Sequence, residues 1–359
     1  MAIIVSNVYP PDRGGIQTMM ASLAEVTAAT AGGVVVVAPA MRGSENFDAE
    51  RPYRIVRYPD FRRPADALAI AIGFVRALAI ARDRTTIGAN WWPVGLAVAL
   101  VPRFMRGKLA IFAHGSDVAP GKGGLRKAVM RFVYGRADAV LANSDFTKGL
   151  LARAGVTKRV RVVAPGVDVA PIEPARAPEP TILSVGRLIE RKGFDRVIEA
   201  LAALATRFPA VRYEIVGDGP YRGRLEALAR RLGVSERVVF HGALSRSQMR
   251  QAYARAWCFA LPVREVGSDV EGFGIVYLEA AMARLPAIGG LHSGAADAIV
   301  DGVTGFLVDG NGSAGVAAAI AFLISNRDEA ERMGERALER ARGFTWQRTA
   351  DLVAGALGS

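Results

Sequence analysis

Short runs of consecutive apolar, often β-branched residues recur along the chain, separated by Ala/Leu-rich stretches of helical length. In the first half the runs fall at Ile3–Val8, Val34–Ala38, Tyr53–Tyr58, Leu109–His114, Ala139–Asn143 and Val160–Ala164. Continuous apolar strands alternating with helices predict a parallel sheet covered on both faces. The pattern then breaks, because residues 165–180 hold five prolines. Proline at that density continues neither a helix nor a central strand, so a linker is expected there. Beyond it the alternation restarts, with a strand over Thr181–Val185, a helix over Phe194–Phe208, a strand over Arg212–Val216, a helix over Arg222–Leu232 and a strand over Arg237–His241. Further alternation runs to Val308. The fold class predicted is α/β, two similar halves facing each other across a cleft.

Length and composition fit this division. A chain of 359 residues is comfortable for two domains of ordinary size. The single cysteine, Cys258, forms no intrachain disulfide and reads as a small core residue in the run WCFALP. The opening MAIIVSNVYPPDRGG reads as a first strand and not as a signal peptide. The most apolar long stretch, Leu68 to Ala81, is interrupted by Arg76 and is too short to span a bilayer. A cytoplasmic location is expected, with peripheral contact to the inner face of the membrane.

Charge adds a direction. The formal net charge is +12, and residues 1–170 carry 23 Lys and Arg against 12 Asp and Glu, while residues 171–359 carry 23 against 22. The excess clusters at Arg62-Arg63, at Arg103, Arg106 and Lys108, and at Lys122, Arg126, Lys127 and Arg131. Such asymmetry points the first half at an anionic partner: nucleic acid, anionic lipid headgroups or a phosphorylated acceptor. Solvated basic faces are the alternative, and anionic membrane contact is the preferred use of the charge.

Three motifs carry candidate chemistry. Gly14-Gly15 follows the first strand and precedes a helix, where backbone N–H groups approach a phosphate. Gly186-Arg187…Lys192-Gly193 follows the first strand of the second half. Arg187 offers a planar fork and Lys192 a compact charge, a pairing suited to a diphosphate, with Arg191 the expected bystander. In Glu271-Gly-Phe-Gly-Ile-Val-Tyr-Leu-Glu279 two carboxylates flank a glycine-rich loop that becomes a helix, and the N–H groups around Phe273–Val276 form an anion site at its start. A phosphate about 4 Å from either carboxylate would be repelled by about 4 kcal/mol at an effective dielectric near 20. Each carboxylate is therefore expected to face hydroxyl groups, with phosphate between them, as in a nucleotide-sugar. His114 ends an apolar strand and reads equally as a general base or a packing residue. His241 reads as structural or near the base, and His292 receives no role.

With these residues in hand, the chain resembles the family-4 retaining glycosyltransferases of GT-B architecture over essentially its whole length. The resemblance rests on the glycine loop after strand one, Asn143-Ser144, Pro165-Gly166-Val167-Asp168, the Gly-Arg…Lys-Gly loop, Gly217-Asp218-Gly219-Pro220, the Glu-x7-Glu motif and Asp301–Val308. Gly267–Glu279 looks most like the phosphatidylinositol mannosyltransferases of that family. The resemblance implies an acceptor-binding domain over 1–168, a nucleotide-sugar domain over 169–342 and a tail over 343–359 that crosses back onto the first domain. It implies that Arg187 and Lys192 bind the donor diphosphate and that Glu279 takes the ribose hydroxyls. Glu271 with the Phe273, Gly274 and Ile275 backbone would hold the sugar and distal phosphate, with Gly217 and Asp218 also at the donor. His114 would contact the transferred sugar, and Gly15 would close over the phosphates. No metal or other cofactor is expected, and the leaving phosphate itself would accept the acceptor's proton. Two departures stand out: Ala283-Arg284-Leu285-Pro286 replaces Cys-Gly-Leu-Pro, and Gly289–Ala296 lacks the usual Gly-Gly-x-Pro-Glu.

The expected partners are a nucleotide-diphosphate sugar, a glycan or lipid-linked acceptor and an anionic membrane surface. The donor remains open between GDP-mannose and a UDP-hexose. A sugar-nucleotide epimerase or a phosphorylase would share the architecture. A nicotinamide dehydrogenase fits poorly, since in Gly217-x-Gly219-x-x-x-Gly223 the third glycine comes one residue late. A nucleic-acid-binding module rests on charge alone and lacks a base-stacking aromatic pattern, so no nucleic-acid partner is expected.

Overall fold

A computed structural model describes residues 1–30, 33–59, 66–81, 84–119, 123–168 and 170–358. Arg62, Arg63 and Lys122 of the basic clusters lie outside the described residues. The chain divides into two compact units, residues 1–166 with 345–359 and residues 167–344.

The first unit runs β1 (Ala2–Val5), α1 (Gly15–Ala29), β2 (Val34–Pro39), α2 (Ser44–Ala49), β3 (Arg54–Tyr58), α3 (Asp66–Ile80) and β4 (Thr85–Gly88). A π-helical turn (Trp91–Gly95) leads into α4 (Leu96–Ala99) and α5 (Arg103–Arg106). Then come β5 (Lys108–Ala113), α6 (Gly124–Arg136), β6 (Ala139–Ala142), α7 (Asp145–Arg153) and β7 (Val160–Val162). All seven strands are parallel, in the order β3-β2-β1-β4-β5-β6-β7. Val34 to Ala38 are buried throughout, as a strand covered on both faces requires.

The second unit runs β8 (Thr181–Val185), α8 (Phe194–Leu204), β9 (Arg212–Val216), α9 (Arg222–Arg231), β10 (Val238–Gly242), α10 (Arg246–Arg255) and β11 (Cys258–Leu261). It continues through α11 (Ile275–Met282), β12 (Ala287–Gly290), α12 (Ala295–Ala298), β13 (Gly305–Val308), α13 (Ala314–Ser325) and α14 (Arg327–Arg342). Its six strands are also parallel, in the order β10-β9-β8-β11-β12-β13. The proline-rich segment is tied to this unit, since Ile172 N–H donates to Met282 O, and Ala175 and Ala177 N–H donate to Ala254 and Arg255 O.

The last helix, α15 (Trp346–Leu357), belongs to the first unit. Thr345 caps it by accepting from Arg348 N–H. Val353 and Leu357 enter the core that holds Met20 and Leu23 of α1, and Lys108 Nζ donates to Leu357 O at 2.7 Å. No helix among the described residues is long and apolar enough to cross a membrane.

The strands differ from the hydrophobic pattern in informative ways. The run at Ile3–Val8 stops at Val5, because the chain turns at Ser6, whose hydroxyl donates to Val8 O. β4 escapes a reading by hydrophobicity: Thr-Thr-Ile-Gly holds one large apolar residue, yet it lies in the middle of the sheet between β1 and β5. β11 lies within WCFALP, a run too short to stand out by its pattern alone. All four of its residues are buried, and burial pushes the Cys258 thiol up to about 12.

Candidate active site

In both sheets the strand order reverses direction once, between β1 and β4 and between β8 and β11. Ligands of open α/β sheets bind beyond the carboxyl ends of the strands at such a point. The Arg187–Lys192 loop leaves β8 there, and the loop ending in Glu271 leaves the adjacent β11. Two motifs about 80 residues apart in sequence are thus brought together by sheet topology.

Lys192 Nζ lies 2.5 Å from Glu271 Oε2, and Arg191 Nη1 lies 2.6 Å from the same oxygen. Arg191 Nε is 3.0 Å from Asp269 Oδ1. The expectation that Arg191 is a bystander is therefore corrected: it is a principal partner of Glu271. Burial pushes the Glu271 carboxyl up, but Lys192 and Arg191 outweigh it and hold the pKa down to about 2. Arg187 is exposed at the end of β8. The Lys192 side chain folds back over Gly186, the residue before Arg187.

Behind this loop sits a buried ion pair. Arg264 forms two 2.9 Å bonds to the Asp195 carboxylate, and its backbone N–H donates to Arg191 O. The pair joins the first turn of α8 to the loop after β11 and so fixes the backbone that presents Arg191 and Lys192. Gly217 comes so close to this loop that a Cβ would overlap the Gly186 carbonyl, and Leu188 N–H donates to Asp218 O. The Asp218 side chain caps Gly219 N–H. These two residues support the cationic loop through their backbone.

The loop from Glu271 enters α11 through Gly274, whose φ of +88° is in the left-handed region. No side chain caps this start, and among the described residues the N–H groups of Phe273, Gly274, Ile275 and Val276 have no acceptor. Phe273 anchors the turn in the core, its ring 5.9 Å from that of Phe344. Tyr277 pins the helix start by donating to Leu261 O at 2.6 Å. Gly294 supports the loop from the side: its N–H donates to Glu271 O, and a Cβ there would overlap the Gly272 carbonyl.

Glu279 lies about one turn into α11, where Tyr253 donates to its Oε2 at 2.8 Å. Burial raises the Glu279 pKa, partly countered by that hydrogen bond. Both carboxylates are thus held through one oxygen, and among the described residues Oε1 of each has no hydrogen-bond partner. Each keeps an acceptor for a hydroxyl group, with bare N–H groups between them.

In the first unit, Gly15 opens α1, and a Cβ there would meet nothing within 4 Å. His114 follows β5, with its ring stacked on Phe112 and Nε2 2.7 Å from Ala89 O. A carbonyl only accepts, so Nε2 carries the proton. Burial lowers the ring's pKa against the pull of Asp117 and the Ala89 bond, leaving it neutral with Nδ1 as an acceptor. His241 pairs with Glu214, 3.1 Å away, and His292 is exposed in a turn after β12. Among the described residues no group of three His, Cys, Asp or Glu is arranged to hold a metal ion.

Sequence reasoning missed Arg191, Tyr253 and the Arg264–Asp195 pair. Arg191 had one signal, its place beside Lys192 on the loop; the others had none.

Two Rossmann-like units, with cations, carboxylates and open N–H groups at the switch point of the second, define the class as a GT-B enzyme acting on a nucleotide-sugar. The model described as Glycosyltransferase Family 4 matches residues 13–171, and that described as Glycosyl transferases group 1 matches residues 170–340. The chain is 33% identical to the GDP-mannose-dependent alpha-(1-6)-phosphatidylinositol monomannoside mannosyltransferase of Mycobacterium tuberculosis, over 92% of this chain and 91% of that one. Among solved structures, the Anabaena protein HepE in complex with UDP and glucose superposes with a TM-score of 0.84 at 20% identity, covering 100% of this chain and 99% of that chain. Sucrose-phosphate synthase from Thermosynechococcus elongatus gives 0.81 at 21% identity, covering 99% and 97%. At that identity the two structures speak for the fold. The chain belongs to the family-4, group 1 glycosyltransferases, in the branch of the phosphatidylinositol mannosyltransferases.

Proposed function

We propose that this glycosyltransferase moves mannose from GDP-mannose to a lipid-linked, inositol-containing acceptor, with retention of configuration and without a metal ion. The observation that supports the reading best is the pair of half-engaged carboxylates, Glu271 and Glu279, on either side of the open N–H groups at the start of α11. A diphosphate takes those N–H groups with Arg187 and Lys192, the ribose faces Glu279, and the sugar faces Glu271. Gly217 and Asp218 keep the cationic loop in place. The relatives named for GDP-mannose and for a phosphatidylinositol mannoside support donor and acceptor.

In the step itself the bond from the anomeric carbon to the donor phosphate breaks, and one to the acceptor oxygen forms on the same face. The acceptor's proton passes to the departing phosphate oxygen, so no side-chain nucleophile is required. Arg187, Lys192 and the helix N–H groups stabilise the charge that develops on the diphosphate. His114, neutral and accepting at Nδ1, contacts a hydroxyl of the transferred sugar, and Gly15 leaves room for the phosphates. The enzyme works from the cytoplasmic side, and its basic first unit brings it to the anionic membrane surface.

A thermal-shift series with GDP, UDP, ADP and dTDP and their sugar conjugates tests this reading. Binding to the native state raises its melting temperature by mass action. A shift largest with GDP-mannose supports the donor; a larger one with UDP-hexoses replaces it, and none at all removes the donor site. Full activity in excess EDTA is expected.

A further inference from the structure

Two side chains at the end of β3 hold the chain where it leaves β1, although β2 lies between those strands. Tyr58 donates to Ser6 O at 3.1 Å. Arg57 reaches further and spends its planar fork of donors on three elements at once. Its Nε and Nη2 pair with the Asp48 carboxylate of α2 at 3.1 and 2.7 Å, and Nη1 donates to Pro39 O, at the end of β2, at 2.8 Å. Nη2 also donates to Pro10 O, 47 residues earlier, at 2.9 Å. The Arg57 side chain is 12% exposed, and its guanidinium stands 5.7 Å from the centre of the buried Tyr9 ring.

The loop between β1 and α1 has few other holds. From Tyr9 to Gly14 no backbone N–H donates to a backbone carbonyl among the described residues. Pro10 and Pro11 have no N–H to give. Arg13 N–H donates to the Asp12 carboxylate, which also accepts from Gln17, so both bonds stay within the loop and the first turn of α1. Tyr9 anchors the start of the loop, with its hydroxyl 2.9 Å from that of Tyr53 and its ring edge-on to Phe47. Pro11 to Gly15 are exposed. An ion pair that served the fold alone would be complete with Asp48 and Pro39 O. The bond to Pro10 O adds a tether to an exposed backbone that otherwise lacks one.

We propose that Arg57 is a positioning residue for the transfer: it holds the loop from Tyr9 to Gly15 in the shape that the donor phosphates meet. This rests on the reading that puts Gly15 beside those phosphates, and it names the side chain that keeps the loop in shape. Arg57 itself touches no substrate. A displacement of about 1 Å at a positioned group can slow a reaction about a hundredfold. The nucleoside diphosphate is held by Arg187, Lys192 and the N–H groups of α11, so its binding should survive a loosened loop.

The test combines limited trypsin digestion of the full chain with steady-state transfer from GDP-mannose to a phosphatidylinositol mannoside. Trypsin cuts after Arg13, which is exposed within the loop, and mass spectrometry separates that cut from the others. In Arg57→Gln the cut at Arg13 should speed up at least about fivefold, as local opening becomes easier, with the other cuts unchanged. The kcat should fall between about tenfold and a hundredfold. The KM for GDP-mannose should stay within about twofold of the wild type. Arg57→Lys keeps the charge beside Asp48 but loses the fork, so it should melt like the wild type and show both effects. It decides the outcome should Arg57→Gln not fold. Wild-type kcat in a folded variant, or an unchanged cut at Arg13, overturns the proposal. So does faster cutting at every site with kcat lost in step with the melting temperature, which marks a purely structural ion pair. A wild type that transfers no mannose removes the proposed function and the role in transfer with it, while a faster cut confined to Arg13 still identifies Arg57 as the clamp of the loop.

Discussion

The ammonium of Lys192 lies 2.5 Å from the carboxylate of Glu271, 79 residues further along the chain. Arg191 completes the cluster from the other side, so one carboxylate oxygen is shared by two cations. A carboxylate neutralised in this way repels an approaching phosphate far less than a bare one. The repulsion expected from the Glu-x7-Glu spacing is thus countered by the residues of the cationic loop itself.

Arg191 and Arg187 should separate stability from binding. Arg191→Ala leaves the largely buried Glu271 with a single cation and should lower unfolding free energy by about 3 kcal/mol. Arg187→Ala, at an exposed position, should change it by no more than about 0.5 kcal/mol while weakening nucleoside diphosphate binding. Urea denaturation beside a nucleotide titration measures both, and a destabilised Arg187→Ala would contradict the assignment.

Acid should reveal Glu271. Its pKa of about 2 in the folded chain lies below its ordinary 4.5, so between these values the unfolded chain binds more protons. The stability it contributes is complete above about pH 4.5, falls as pH drops toward 2, and amounts to about 3 kcal/mol. In Glu271→Gln the slope of stability against pH in that window should flatten. An unchanged slope would mean that the carboxylate is not held as described.

Tyr253→Phe removes what is, among the described residues, the one donor to Glu279 and leaves its Oε2 buried without that partner. A cost in stability of about 1–3 kcal/mol is expected. Because the donor that orients Glu279 is lost, GDP should bind more weakly while inorganic pyrophosphate binds as before. Calorimetric titration with each compares the two, and equal losses would place Tyr253 outside ribose recognition.

Gly294→Ala should be among the most damaging small changes in the second unit, since the added methyl overlaps the Gly272 carbonyl beside Glu271. A loss of at least about 2 kcal/mol and of donor binding is expected. Gly223→Ala, where a Cβ meets nothing within 4 Å on α9, serves as the contrast. It should be neutral or stabilising by up to about 1 kcal/mol. Melting curves of the two variants decide, and a benign Gly294→Ala would show that the loop readily moves.

What the sequence discloses is what it writes locally. The strands from Val34 and Leu109 announce themselves by consecutive apolar residues, and the break at residues 165–180 by its prolines. The Glu-x7-Glu spacing and the Arg187–Lys192 loop are likewise legible within a dozen residues. β4 was not, because its burial comes from neighbours on both sides and not from its own Thr-Thr-Ile-Gly. Partners far apart in the chain were not legible either. Nothing near Arg264 points to Asp195, 69 residues earlier, and nothing near Tyr253 points to Glu279. The part of the site that recognises a ligand is written in motifs, whereas the part that holds those motifs in place is written in contacts made only after folding.

The most direct test of the central claim is nucleotide release from GDP-mannose in the presence of a phosphatidylinositol mannoside, with the anomeric configuration of the product read by NMR. The account predicts GDP release that requires the acceptor, an α-linked mannose in the product, and loss of both in Lys192→Ala. A β-linked product, or full turnover by Lys192→Ala, would contradict it.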